Sequence, residues 1–343
     1  MLPYRYRITP ALLRTIKSIT KVIIELNGQH FSNLVLAQLE HEALETSSHT
    51  STSIEGNPLP LTEVKRLLKQ RPNQLRTFER EVVNYNDTLI WLNAQLEKTE
   101  PSINLNFLLE VHKRVMKGLL PSSQLGKFRN EPVFVNDPRL RKTVYWPPDQ
   151  KDVRSLLEAL ILFLKSSMRD LDPIILAGIF HKQFVIIHPF IDGNGRTVRL
   201  VTKSILAHLG IDTFSLFSFE NFYNNNVTNY FSKVGVRGNY YDLKIDMTEW
   251  LEYFAEGILD ELFRVQKTLQ REVSSERTPE TVLSSDQQKI LVFISKNGFI
   301  KDSDYAKLTK RAKATRTLDF NKLIQLKLIQ RFGKGKSTYY KKK

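Results

Sequence analysis

Apolar side chains along most of this chain recur every three or four residues, which is the spacing of one face of an α-helix. Thr9-Pro10 is a cap followed by a first-turn proline, and Asn27-Gly28 ends the apolar run behind it. The same spacing predicts further helices over 31–44, 61–68, 78–92, 106–119, 149–164 and 247–263. The pattern therefore predicts a mainly α-helical protein.

One predicted helix differs from the others because it is apolar on every side. It begins at Asp172-Pro173, a cap and a first-turn proline, and runs to Ile187. A helix that is hydrophobic all round has to be buried. It brings His188 to its C-terminal end, and Gly195 opens the next helix, which Gly210 stops.

A short stretch interrupts the helical pattern before this buried helix. Val133, Phe134 and Val135 predict a strand, 136–138 a turn, and 143–146 an answering strand that ends at Pro147-Pro148. The sequence therefore predicts one short β-hairpin in an otherwise helical fold.

The last part of the chain has a pattern of its own. Helices are predicted from Ser285-Asp286 to 297, over 303–308 and over 315–326, and two β-rich segments, 328–332 and 337–341, flank a Gly-Lys-Gly-Lys turn. This order of three helices and a basic hairpin resembles a winged helix-turn-helix, with 313–325 as the recognition helix. A protein-interaction module is the alternative.

Charge divides the chain in the same way. Residues 286–343 hold 16 Lys and Arg against 4 Asp and Glu, so this sixth of the chain carries +12 of the net +15. A basic segment beside a nearly neutral one predicts two parts with different partners, and duplex DNA is the expected partner of the basic part.

Composition excludes several classes of protein. There is no cysteine, which rules out disulfides and cysteine-based zinc sites or nucleophiles and fits a reducing compartment. No stretch approaches the roughly 18 uncharged apolar residues of a membrane helix, and no apolar leader follows the N-terminus. We expect a soluble cytoplasmic protein without membrane contact, and a homodimer stays open.

The chemistry is concentrated in the segment His188-Pro-Phe-Ile-Asp-Gly-Asn-Gly-Arg-Thr-Val-Arg199. Backbone N–H groups at Gly193, Asn194 and Gly195 can form an anion site where a loop enters a helix. Arg196 and Arg199 can hold a polyphosphate. Beside these phosphates, Asp192 can bind Mg²⁺. This leaves the imidazole of His188 as the proton acceptor.

These twelve residues fit the pattern HPFx[D/E]GNGRxxR and resemble the signature of the Fic family. The resemblance implies a helical core that transfers AMP from ATP, with Mg²⁺ on the phosphates, to a Ser, Thr or Tyr hydroxyl of a target protein or of the chain itself. His188 is then the base, Asp192 the metal ligand, and Gly193, Asn194, Gly195, Arg196 and Arg199 bind the nucleotide.

Three more segments gain a function from this resemblance. Ser51, Glu55 and Gly56 fit the pattern [S/T]xxxE[G/N] of an inhibitory helix, and we expect Glu55 to bind Arg199. The hairpin with Val133, Phe134 and Val135 corresponds to the flap that pairs with an extended target segment. Tyr240 and Tyr241 resemble part of an adenine pocket.

The expected domains are an N-terminal helical region, 1–104, with the inhibitory motif at 51–57, a Fic core, 105–265, a linker, 266–284, and a winged helix-turn-helix domain, 285–343. Three other functions stay open. The first is γ-phosphate transfer as in the related Doc toxins, although Gly195 stands where those relatives have Lys. The second is removal of AMP from a modified protein, with Glu55 orienting water. The third is a DNA-binding regulator whose Fic core senses a ligand.

Overall fold

The computed structural model describes residues 3–29, 31, 33–96, 103–137, 142–211, 213, 215–276, 283–326 and 328–342. The chain forms two compact units. The larger comprises Met1–Asn27 and Leu44–Val265, and the smaller Gly28–Ala43 and Gln266–Lys343, as far as their residues are described.

Most of the described residues are helical, as the apolar spacing predicts. The helices are α1 (Pro10–Asn27), α2 (Asn33–Ile54), α3 (Leu61–Gln70), α4 (Thr77–Leu96), α5 (Leu105–Val115), α6 (Val153–Ser167), α7 (Pro173–Ile187), α8 (Asn194–His208), α9 (Glu220–Asn225), α10 (Val227–Val234), α11 (Thr248–Glu276), α12 (Ser285–Asn297), α13 (Asp302–Leu308) and α14 (Lys313–Gln325). The strands are β1 (Tyr4–Arg5), β2 (Val135–Asp137), β3 (Lys142–Trp146), β4 (Gly238–Asn239), β5 (Ile245–Asp246), β6 (Ile329–Phe332) and β7 (Tyr339–Lys342).

Helix α7 lies at the centre of the larger unit, because nearly all of its side chains are buried. The carboxylate of Asp172 accepts a hydrogen bond from the Ile174 amide (2.8 Å), and Pro173 occupies the first turn. Helices α6 and α8 pack against it. The predicted buried helix that ends beside His188 is thus confirmed.

The predicted hairpin is present, but its first strand is shorter than expected. Strand β2 begins at Val135, so Val133 and Phe134 are not part of the ladder. The reason is that β3 ends at Trp146, where Pro147 has no amide hydrogen to continue the pairing. Strand β4 pairs parallel with β3 and makes a third strand that the sequence did not predict. Pro138, in the predicted turn, lies outside the described residues.

The expected linker, 266–284, begins with helix instead. Helix α11 continues to Glu276 because Val265 and Leu269 extend its buried apolar stripe beyond Leu262. Residues 277–282 lie outside the described part of the chain.

The smaller unit contains α12, α13, α14 and the antiparallel pair β6–β7 around one apolar core. Its helices close on Asp319, a buried carboxylate that accepts hydrogen bonds from Gln287 (2.9 Å), Tyr305 (2.8 Å) and Arg311 (2.8 and 3.0 Å). The turn between its strands contains Gly333 and Gly335, both with positive φ.

Among the described residues, no helix is both long and apolar enough to cross a membrane.

Candidate active site

The loop between α7 and α8 is held by two left-handed residues. His188, with φ of 51°, ends α7 and donates its amide to the Phe184 carbonyl, and Gly193, with φ of 78°, precedes α8. A Cβ at Gly193 would overlap Met116, so only glycine fits there. The first N–H groups of α8 are left without helical acceptors, as an anion site requires.

Asn194 holds this loop closed. Its side-chain carbonyl accepts from the Phe190 amide (2.9 Å), and its side-chain nitrogen donates to the Phe190 carbonyl (2.8 Å). The side chain of Asn194 is therefore bound to the loop, which leaves its backbone N–H to face an anion.

His112 supports the same loop from α5. Its ring stacks on Phe190 with centroids 3.8 Å apart, and Gly126 donates its amide to Nδ1 (3.2 Å). Because Nδ1 accepts, Nε2 carries the proton and donates to the Asp192 carbonyl (3.1 Å). Burial lowers the pKa of His112 to about 4, so it is neutral at pH 7. It is therefore a hydrogen-bonded histidine of the core.

His188 is neutral and has one unprotonated ring nitrogen, as a base requires. Its Nδ1 lies 3.4 Å from the Val185 carbonyl, which can only accept, so the proton is on Nδ1 and Nε2 is free to take another. Burial lowers its pKa to about 4, with a further contribution from the charge of Arg129. The imidazole is therefore neutral at pH 7 and able to accept a proton.

Asp192 and Arg196 form a charged cluster at the start of α8. The exposed carboxylate of Asp192 accepts from the Gly193 amide and lies 3.2 Å from Arg196 Nη2. Arg196 also pairs with Glu81 on α4 (3.3 Å), which in turn accepts from Asn57 (2.7 Å). Arg196 Nε is buried and has no hydrogen-bond partner among the described residues, so it can still accommodate an anion.

Arg199 is fully buried and is bound by the end of α2. Its Nη2 donates to Glu55 Oε1 and to the Ser51 carbonyl, and its Nε donates to Ser51 Oγ, each at 2.8 Å. Burial acts to lower the pKa of Arg199, but the charge of Glu55 and the nearby tyrosines outweigh it and raise that pKa. The residues of the predicted inhibitory motif thus lie on the guanidinium that we expected them to bind.

Gly195 makes this contact possible. A Cβ at position 195 would overlap the Glu55 carboxylate and lie 3.0 Å from Arg199 Nη1. The missing side chain leaves room for Glu55 beside the first turn of α8. Any larger residue here would therefore have to displace Glu55.

The tyrosine pair lies beside the small sheet, directly after β4. Tyr240 is buried, whereas Tyr241 is 55% exposed and its hydroxyl binds Asp152 (2.5 Å) and the Asp149 amide (3.0 Å). No described contact joins either ring to the 188–199 loop, so their role in an adenine pocket stays a prediction.

Comparison with known proteins shows which family the region around this loop resembles. Residues 102–206 match the model of the Fic/DOC family. This part of the chain is therefore similar to a Fic domain. The matched region includes α5 with His112, the three elements before α7, and the whole of the 188–199 segment.

Curated relatives extend the match beyond the Fic domain. The chain is 29% identical over 214 residues to the protein adenylyltransferase Fic of Nematostella vectensis, which covers 60% of this chain and 48% of that protein. It is 31% identical over 202 residues to the protein of the same name from Drosophila erecta, covering 57% and 39%. The chain therefore spans about half of these relatives or less.

Solved structures support the fold. A Fic family protein from Desulfovibrio desulfuricans G20 superposes with a TM-score of 0.64 at 21% identity and covers 100% of this chain and 98% of its own. Fic-1 from C. elegans superposes with a TM-score of 0.56 at 22% identity over 78% of this chain and 73% of its own.

Several residues of the site were not found from the sequence. Glu81, Asn57 and Arg129 act through partners that are 24 to 115 residues distant along the chain. The break in the helical pattern at Gly126-Lys-Phe-Arg129 is the one local feature of the sequence that lies at any of them.

Proposed function

We propose that this chain is a protein adenylyltransferase that transfers AMP from ATP to a Ser, Thr or Tyr hydroxyl of a target protein. The observation that carries the proposal is the loop 188–195, which sets the neutral imidazole of His188 beside a helix N-terminus and two buried arginines. The names of the curated relatives support it.

The chemistry assigns a separate task to each group. His188 Nε2 takes the hydroxyl proton as the acceptor oxygen bonds to the α-phosphorus of ATP and the bond to pyrophosphate breaks. The N–H groups of Gly193, Asn194 and Gly195 stabilise the negative charge on the phosphates. Arg196 binds the leaving group, and Arg199, once Glu55 has withdrawn, binds the γ-phosphate.

A magnesium ion fits this site through a single carboxylate. Asp192 is exposed at the mouth of the loop, and no group of three or more His, Asp or Glu side chains suited to a metal exists among the described residues. Mg²⁺ commonly takes one or two carboxylates with phosphate oxygens and water. Bound there, it would neutralise phosphate charge.

The experiment is incubation of wild type and Glu55→Gly with α-labelled and γ-labelled ATP. AMP transfer leaves the α-label on protein, whereas phosphate transfer leaves the γ-label. Incubation of a pre-labelled sample without ATP then tests for removal of AMP. Absence of protein label from either nucleotide in both variants would contradict the proposal.

We also propose that residues 285–342 form a winged helix-turn-helix that binds duplex DNA. Its support is the order of α12, α13, α14 and the β6–β7 hairpin together with the net charge of +12 in the last sixth of the chain. Binding of a labelled duplex by the full chain tests this second function, and it is compatible with the first.

A further inference from the structure

Arg129 is a buried arginine beside the catalytic loop to which no role has yet been given. Only 3% of it is exposed. Its Nε donates to the carbonyl of His188 (2.8 Å), and its own backbone amide donates to the carbonyl of Pro189 (2.9 Å). Two consecutive residues at the end of α7 are therefore bound to this one residue.

The other two nitrogens of the guanidinium face the small sheet. Nη1 donates to the Glu131 carbonyl (3.2 Å), four residues before β2, and Nη2 donates to the Pro148 carbonyl, two residues after β3. One rigid planar group thus links the strand pair at both of its open ends to the backbone of His188.

All of these acceptors are neutral carbonyls. Among the described residues no carboxylate forms an ion pair with Arg129, so its charge is buried without a direct counter-ion. Burial without such a partner is unfavourable, and it lowers the pKa of Arg129. In return, the three N–H donors of the rigid guanidinium fix the positions of the three carbonyls that they bind.

His188 needs that geometry. It is one of few non-glycine residues here with a positive φ, a conformation that L-residues adopt at a cost. Without the hydrogen bond to its carbonyl, the backbone could relax and turn the imidazole away. The charge of Arg129 also disfavours protonation of His188, against the opposite effects of Glu55 and Asp192.

We propose that Arg129 is a positioning residue that fixes His188 and the β2–β3 pair in one arrangement, so that an acceptor hydroxyl presented at the sheet meets Nε2. The expected effect on catalysis rests on the proposed AMP transfer. The fixing of His188 and of the β2–β3 pair by Arg129 does not depend on it. Lysine cannot replace Arg129, because one ammonium cannot reach carbonyls on three segments.

The test uses Arg129→Lys and Arg129→Met in the full-length Glu55→Gly chain, with Arg71→Met as the matched control. Arg71 also donates through Nε to a backbone carbonyl, that of Leu68 (3.2 Å), but contacts no residue of the loop. The activity readout is self-labelling with α-labelled ATP, and nucleotide affinity is measured separately by titration calorimetry with Mg-ATP.

We expect both Arg129 variants to lose about 10- to 100-fold in labelling rate while the ATP dissociation constant changes less than twofold. Amide hydrogen exchange at 135–137, at 142–145 and at His188 and Phe190 should become at least tenfold faster in both variants and stay unchanged in Arg71→Met. The exchange measurement does not depend on activity, so it tests the positioning role even if the Glu55→Gly parent transfers no AMP.

Two outcomes would overturn the inference. One is an Arg129→Lys variant with the exchange pattern of its parent. The other is a loss of labelling matched by an equal loss of ATP affinity and of thermal stability, since that would make Arg129 a general structural residue. An inactive parent with the expected exchange pattern would count against AMP transfer alone.

Discussion

Arg199 is the residue on which the proposed nucleotide binding and the proposed inhibition both depend. The same buried guanidinium that Glu55 binds at 2.8 Å is the one that would hold a phosphate of ATP. A carboxylate and a phosphate present similar paired oxygens to an arginine, so only one can occupy it. Glu55 supplies the charged acceptor of Arg199, whereas the other two acceptors are the neutral carbonyl and hydroxyl of Ser51.

Replacement of Glu55 should therefore activate the protein. A closed state favoured by only ~3 kcal/mol leaves under one molecule in a hundred competent, so Glu55→Gly should raise AMP transfer by roughly one to two orders of magnitude at saturating ATP. Ser51→Ala should do less, because the Ser51 carbonyl still binds Arg199. Arg199→Ala should not raise the rate, since it removes the partner of Glu55 and the proposed ligand of the γ-phosphate together. The measurement is the initial rate of label transfer from α-labelled ATP for wild type and each variant. A Glu55→Gly rate at or below that of wild type would contradict the inhibitory role.

His188 offers a second prediction at this scale. In the Glu55→Gly background, His188→Ala should abolish transfer and leave Mg-ATP affinity within about threefold, because the phosphates are held by the α8 amides and the arginines. Calorimetric titration and label transfer are measured on the same sample. Near-normal transfer by His188→Ala would remove the imidazole from the role of base.

The end of α2 is bound to two successive turns of α8, through Arg199 and through Lys203. Lys203 donates to Ser47 Oγ (2.8 Å) one turn before Ser51 meets Arg199, and it also pairs with the fully buried Glu220 (3.1 Å). The polar residues of this turn are almost completely buried. Lifting the helix away would break the hydrogen bonds of both Arg199 and Lys203 to Ser51 and Ser47, whereas turning the Glu55 side chain breaks one ion pair.

We therefore expect activation without release of the helix. Amide exchange over 47–54 should be as slow in Glu55→Gly as in wild type, to within a factor of about three. Lys203→Met serves as the positive control, since it leaves Glu220 buried without its cation and should speed exchange in the same segment. If Glu55→Gly alone made 47–54 exchange rapidly, inhibition would depend on docking of the whole helix.

Elements with a local signal could be predicted, and pairings between distant segments could not. The caps at Asp172-Pro173 and the all-round apolar run of α7 are contained in adjacent residues, and so is the 188–199 motif. Strand β4 is two residues long and is defined only by its pairing with β3. The contact of Glu220 with Tyr85 joins residues 135 positions apart, and no spacing rule reaches that far.

The distribution of charge is the main feature at the scale of the whole chain. Two of the arginines near α14 are bound within the smaller unit, Arg311 by Asp286 and Asp319 and Arg316 by Asp302. They are therefore poor candidates for DNA phosphates. Lys310 and Lys313 are exposed at the start of α14 and remain the better ones.

We expect the full chain to bind duplex DNA with an affinity that falls steeply with salt. Each phosphate contact contributes about 0.9 to the slope of log affinity against log salt. Lys310→Ala with Lys313→Ala should thus reduce that slope by about 2. The same pair of changes at Lys151 and Lys165, exposed lysines of the larger unit, is the control. Absence of binding at low salt would make the basic unit a protein-interaction module.

Acid should destabilise the larger unit through His181. This ring is fully buried between Thr202 Oγ1 (3.0 Å) and Tyr230 OH (3.1 Å), and burial, followed by the charge of Arg199, lowers its pKa to about 3. The unfolded chain, with a histidine pKa near 6.5, binds the proton first. The stabilisation is therefore complete above pH 6.5 and is lost as the pH falls toward 3, by about 1.4 kcal/mol per pH unit.

Urea denaturation followed by tryptophan fluorescence measures this loss, because Trp91, Trp146 and Trp250 all belong to the larger unit. Between pH 7.5 and pH 5 the contribution of His181 amounts to about 2 kcal/mol of the free energy of unfolding. His181→Gln keeps a polar side chain between Thr202 and Tyr230 but cannot titrate, so its stability should fall less steeply over this range whatever its value at pH 7.5. Parallel curves for the two proteins would show that His181 is not the group that takes up the proton on unfolding.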